Sequence, residues 1–127
     1  MFSSKYLPDC GGAERQVEKL ATELSLQGLT VLILTPLNDN NVARHEIENG
    51  FEVVRFPFID LTKLLPSIPK LGVLNLLLMK VQVRILANKY FAEYDVIHGH
   101  NIGIFAYFVS NEAVRLNKPC IWKAATS

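Results

Sequence analysis

A chain of 127 residues, half hydrophobic and one-fifth charged, is long enough to bury a core of its own. Thirteen Lys and Arg stand against twelve Asp and Glu for a net charge of +1. That balance lacks the basic excess of a nucleic-acid binder and argues against such a partner. Mean hydropathy is +0.20, as in globular chains and not disordered ones. The two cysteines, Cys10 and Cys120, make neither a disulfide framework nor a CxxC pair, which points to a reducing, cytoplasmic setting. The first residues lack the apolar core of a signal peptide, and the most apolar stretch, 71–91, is interrupted by Lys80, Arg84 and Lys89.

The first element is an amphipathic helix. Ala13, Val17, Leu20, Ala21 and Leu24 recur at helical spacing, with Glu14, Arg15, Glu18, Lys19 and Glu23 on the other face. Gly28 closes it as a C-terminal cap. Residues 30–35, Thr-Val-Leu-Ile-Leu-Thr, read as a strand stopped by Pro36, and four apolar residues in a row predict cover on both sheet faces. Two strand-like runs, 44–47 and 51–56, flank Asn49-Gly50, a strong hairpin signal. Pro57, Pro66 and Pro69 mark an irregular stretch.

Residues 71–91 predict a long apolar helix, 94–98 a short strand, 102–116 a helix and 119–123 a last strand. Alternating helices and strands give an α/β class with a Rossmann-like, mainly parallel sheet flanked by helices. A glycine loop that opens a helix in such folds follows a buried strand, yet only Met1 and Phe2 are apolar ahead of Ser3. Residues 124–127 follow a strand where another loop and helix belong. The reading is of one partial domain, 1–127, truncated at both ends, its first strand missing or stunted.

Gly11 and Gly12 remove side chains just where the amides of a helix start are unpaired and sit at the positive end of its dipole. Such a start holds anions, phosphate above all. A tight turn needing positive φ explains the glycines equally well. The spacing is neither G-x-G-x-x-G nor G-x-x-x-x-G-K-[ST], so dinucleotide and P-loop readings lose support. His98 and His100 flank Gly99 at the C-terminal end of a strand, where ligands of open α/β sheets bind. If the strand runs that far, both imidazoles share a side, placed to bond sugar hydroxyls or phosphate, while Gly99 leaves the backbone free. The alternatives are two partly buried structural histidines or, less favoured, a metal lacking a third ligand.

Asn101 is placed to reach the same crevice, or else to cap the following helix. Lys123, Thr126 and Ser127 lie at the last strand's crevice end, where the lysine either offsets phosphate charge or is an ordinary solvated residue. Glu14, in the first helical turn, is explained by the dipole alone. The leucine-rich run 71–91 reads first as a core helix. The second reading is an apolar face for a lipid acceptor or a membrane surface, with Lys80, Arg84 and Lys89 meeting anionic headgroups.

Residues 8–15, Pro-Asp-Cys-Gly-Gly-Ala-Glu-Arg, with Val17 to Leu24, Gly28 and Thr35-Pro36, resemble the opening of the family-four retaining glycosyltransferases of the GT-B fold. Residues 94–101, Tyr-Asp-Val-Ile-His-Gly-His-Asn, look like that family's Asp-Val-Ile-His-x-His segment. Residues 118–121 and 123–127 are similar to the strand that follows. The marks run in order from about residue 8 to the last residue.

The resemblance implies the acceptor-side N-terminal half of a two-domain enzyme. It moves a sugar from a nucleotide-sugar donor to a glycan or lipid-linked acceptor with retention, without a catalytic metal or other cofactor. Gly11 and Gly12 would contact the donor diphosphate and His100 the transferred sugar, with His98, Asn101, Lys123 and Thr126 around the substrates. The nucleotide-binding half with its Glu-rich motif has no match here, so this chain alone is expected to be inactive, cytoplasmic and at most peripheral at a membrane. Runner-up readings are a non-catalytic Rossmann-like module binding a phosphorylated ligand, and a sugar-nucleotide epimerase of the same architecture. A dehydrogenase ranks last.

Overall fold

Six strands form one sheet in the computed structural model, which describes residues 1–3, 6, 11–37, 41–100 and 103–123. In chain order the elements are β1 (Phe2–Ser3), α1 (Gly12–Leu26), β2 (Leu32–Pro36), β3 (His45–Glu48), β4 (Phe51–Phe56), α2 (Leu61–Leu64), α3 (Gly72–Tyr90), β5 (Ile97–His100), α4 (Phe105–Arg115) and β6 (Cys120–Lys123). A 3₁₀ turn, Phe91–Glu93, follows α3. The strand order is β3-β4-β2-β1-β5-β6. The pairs β4/β2, β2/β1 and β1/β5 are parallel, and β3/β4 is antiparallel. This is the expected α/β, Rossmann-like architecture with a mainly parallel sheet.

Two compact units divide the chain. The first takes the described residues of Met1–Pro57, His98–Gly103 and Ile121–Ser127; the second takes Phe58–Ile97 and Ile104–Cys120.

In the first unit α1 covers one face of the sheet. Val17 and Ala21 from the helix meet Val31, Ile33, Phe51, Val53 and Tyr6 in a buried cluster, with Leu24 at its edge. The helix stops as its sequence requires. Gly28 takes φ +88°, its N–H donates to the Ser25 carbonyl at 3.0 Å, and the Leu29 N–H reaches the Leu24 carbonyl at 3.1 Å. These two bonds are the Schellman arrangement that satisfies carbonyls at a helix end. The β3–β4 hairpin turns on Asn49 and Gly50, both at positive φ (47° and 87°), the pattern of a type I′ turn. Every residue of β2 is buried, as a strand covered on both faces must be.

In the second unit α3 packs along α4, burying Met79, Val83, Leu86 and Ala87 with Val109 and Ala113. Glu112 sits inside this contact. Arg84 Nε donates to one of its carboxylate oxygens at 3.0 Å and Arg115 Nε to the other at 2.6 Å, while Arg115 also bonds Asn88. Burial alone would raise the Glu112 carboxyl, but the two arginines outweigh it and hold the pKa below its ordinary value. The proline-marked stretch contains one short helix, α2, capped by Asp60, whose carboxylate accepts from Thr62 N–H at 3.0 Å.

Four sequence expectations need correction. Pro36 is the last residue of β2 rather than a stop before it; the terminal strand position tolerates a residue with no N–H to give. The strand expected at 94–98 lies at Ile97–His100, because its partner β1 pairs Phe2 with Gly99 and Ser3 with His100. Residues 94–96 instead follow the 3₁₀ turn, closed by Tyr94 N–H on the Phe91 carbonyl at 3.2 Å. The helix expected from Ile102 begins at Phe105, after a turn in which Gly103 has φ +52°. Finally, the run 71–91 is not a core helix all round: Val73, Leu74, Leu77, Val81 and Ile85 are all more than half exposed.

Candidate functional site

The strand expected to carry both histidines does so, and the register shows which face they occupy. Side chains alternate along a strand, and residues paired across parallel neighbours point the same way. Phe2 pairs with Leu34 and with Gly99, so Ser3 and His100 project to the opposite face, that of Ile33 and Thr35. Ile33 belongs to the cluster under α1. Thr35, Ser3 and His100 therefore form a row of buried polar side chains across β2, β1 and β5 on the α1 side, near the C-terminal ends of the strands. In β6, one of the two edge strands, Lys123 Nζ donates to Gln16 Oε1 of α1 at 2.9 Å. Lys123 thus lies on the same face, tied to the second turn of the helix.

Two members of the row have a polar atom left over. Thr35 Oγ1 and His100 Nε2 are buried without a hydrogen-bond partner among the described residues. Leaving such an atom unpaired costs about 1–3 kcal/mol, and unmet demand of this kind concentrates where a ligand supplies the missing partner.

The imidazoles of His98 and His100 lie face against face, 4.1 Å between centroids and 33° apart. Burial lowers both pKa values. At His100 the neighbouring His98 adds to the effect, and the positive charge of Lys123 adds to it at both. His100 is brought down to about 4, so it is a neutral ring at physiological pH, with one nitrogen to donate and one to accept. A neutral imidazole suits a sugar hydroxyl better than it suits phosphate charge. No group of three or more His, Cys, Asp or Glu placed to hold a metal occurs among the described residues.

Gly99 has a different role from the one read in the sequence. Its backbone is not at positive φ, and a Cβ there would overlap the six-membered ring of Trp122. The glycine is required because an indole from the neighbouring strand lies over it, on the face away from the histidines.

At the helix start, Gly11 is extended (φ −132°, ψ 175°), and neither Gly11 nor Gly12 lies at positive φ. The tight-turn explanation is thereby removed. The N-cap residue, Gly11, makes no side-chain cap bond among the described residues, which leaves the first amides of α1 the capacity for another acceptor. A Cβ on Gly11 would run into the Glu14 carboxylate, while one on Gly12 would meet nothing within 4 Å among the described residues. Glu14 bends back over the first turn, where the dipole favours it.

Asn101 and Thr126 lie outside the described residues, as does Ser127. The N-cap of α4 is Ile104. Ser3 and Thr35 escaped the sequence reading. Ser3 was visible only as the polar residue ending a very short apolar start, and Thr35 as the polar end of a wholly buried strand.

The family pattern of Glycosyltransferase Family 4 matches residues 10–123, most of the chain. The chain belongs to this family. No curated protein and no solved structure matches it. As a Family 4 domain it is of glycosyltransferase type, a class that works on a sugar donor and an acceptor. Among the described residues, no helix is long and apolar enough to cross a membrane.

Proposed function

We propose that this domain serves a retaining transfer of a sugar from a nucleotide-sugar donor to a glycan or lipid-linked acceptor. The observation that carries the reading is the row Thr35–Ser3–His100 in a Family 4 chain, with two polar atoms unpaired at the strand ends. The labour divides by charge. The amides after Gly11 and Gly12, at the positive end of α1, take the donor diphosphate, whose charge grows as the sugar leaves, with the Glu14 carboxylate swung clear of the first turn to admit it. Lys123, held by Gln16, adds a cation on the same face. The neutral ring of His100 bonds a hydroxyl of the transferred sugar, and Thr35 completes or positions that contact. His98, stacked on His100, fixes its ring; Asn101 and Thr126 contribute to substrate binding. No metal takes part, and a second, nucleotide-binding domain closes the site.

Gly12 supplies the test. Alanine is accommodated there by the space around its Cβ and is favoured over glycine within a helix by about 1 kcal/mol. In the enzyme that contains this domain, Gly12→Ala should leave the melting temperature unchanged or raised. It should increase KM for the nucleotide sugar at least tenfold, because the methyl group stands where the diphosphate approaches. Unchanged KM with unchanged stability would overturn the proposed contact.

A further inference from the structure

Helix α3 is apolar on both sides, and among the described residues only one side is covered. Asn75, Met79, Val83, Leu86 and Ala87 form its buried face. Leu74, Leu77, Val81 and Ile85, spaced i, i+3, i+7 and i+11, make a second stripe on the opposite side, each more than half exposed (54%, 55%, 54% and 61%). A helix hydrophobic all round belongs in a core or in lipid. Lone exposed leucines need no explanation, whereas a continuous stripe marks an interaction surface.

The charge around the stripe selects the occupant. From Leu61 to Ala92 the sequence holds Lys63, Lys70, Lys80, Arg84 and Lys89 and not one Asp or Glu. Lys80 and Arg84 lie one turn apart beside the stripe; Arg84 is half-exposed while holding Glu112. A second copy of the chain would set like charges against like, which disfavours self-association through this face. An anionic bilayer surface satisfies both features, since leucines enter the acyl boundary while basic side chains meet the headgroups.

We infer that the Leu74–Leu77–Val81–Ile85 face of α3, with Lys80 and Arg84 at its margin, docks on anionic phospholipid. The inference stands on α3 alone and does not depend on the transferase reading.

The test is co-sedimentation of the protein with vesicles of phosphatidylcholine alone and of equal parts phosphatidylcholine and phosphatidylglycerol, at low and high salt. The protein should pellet with the anionic vesicles only, and high salt should release it. Leu77→Glu should abolish pelleting with circular dichroism unchanged. Lys80→Gln, which removes one cation and no apolar surface, should weaken binding about fivefold, the ~1 kcal/mol of a lysine near such a surface. Three results would overturn the proposal: no pelleting with anionic vesicles, equal pelleting with neutral ones, or a wild type that sediments as a dimer and is made monomeric by Leu77→Glu. Should Leu77→Glu lose its circular dichroism signal, Lys80→Gln and the lipid dependence still decide.

Discussion

Helices α1 and α3 both begin at a glycine and both are legible as helices in the sequence, α1 amphipathic and α3 apolar, and they relate to their surroundings differently. α1 spans Gly12–Leu26 and divides cleanly, with Val17 and Ala21 buried and its charged residues outward. α3 spans Gly72–Tyr90 and has apolar residues on both faces, of which one lies against α4 and the other is open. The difference teaches that an apolar pattern specifies what a helix covers only when it is one-sided. For α1 the periodicity alone locates the sheet face. For α3 it states that two faces need partners and leaves the second unnamed.

The sharpest way to break this comparison is a charge on each helix. Val17→Asp places an unpaired carboxylate in the core under α1, where Val17 is 1% exposed, and should cost about 3–5 kcal/mol. Trp122, the chain's one tryptophan, belongs to the same unit as α1 and reports its unfolding by fluorescence in a urea titration. If Val17→Asp were tolerated, the account of the α1 face would be wrong.

Next in size is Gly99→Ala. Its methyl group overlaps the Trp122 indole, and forced overpacking costs about 1–3 kcal/mol. Adding Trp122→Leu should recover part of the loss, with both variants followed by circular dichroism in urea because the second lacks the fluorescent residue.

A third measurement, stability against pH, separates the two units. His100 has its folded pKa lowered to about 4. The unfolded chain therefore binds its proton first, and stability falls as pH drops from about 6.5 towards 4. His100→Asn should flatten that limb for the first unit. Glu112 is also depressed, so its contribution, present above its ordinary pKa, is lost in stronger acid as pH falls through its folded value. Glu112→Gln should flatten the acid limb in circular dichroism of the second unit's helices. The smallest effect is that of Val81→Asp on the open face of α3, expected to change folding stability by no more than about 0.5 kcal/mol. A loss comparable to that of Val17→Asp would show the second face to be covered.

Much of the fold is legible in the sequence because its signals are local. The α1 stripe, Gly28 at its end and Asn49-Gly50 in the hairpin each depend on a few neighbouring residues, and each stands where read. What escaped depends on partners distant in the chain. β5 starts three residues later than expected because β1 sets its register. Gly99 is explained only by Trp122, twenty-three positions on. Among site residues, the sequence singled out His98 and His100, but Thr35 and Ser3 join them only through pairing across three strands, which no spacing in the chain records.

The central claim is that the neutral His100, beside the glycine-opened helix, contacts the sugar being transferred. Its most direct test is glycosyl transfer by the enzyme containing this domain, assayed over a panel of nucleotide sugars for wild type and His100→Ala. The melting temperature of each is recorded at the same time. The account predicts a fall in kcat of about a hundredfold or more, as for loss of a bond made in the transition state, with folding retained. Unchanged turnover in a folded His100→Ala enzyme would contradict it.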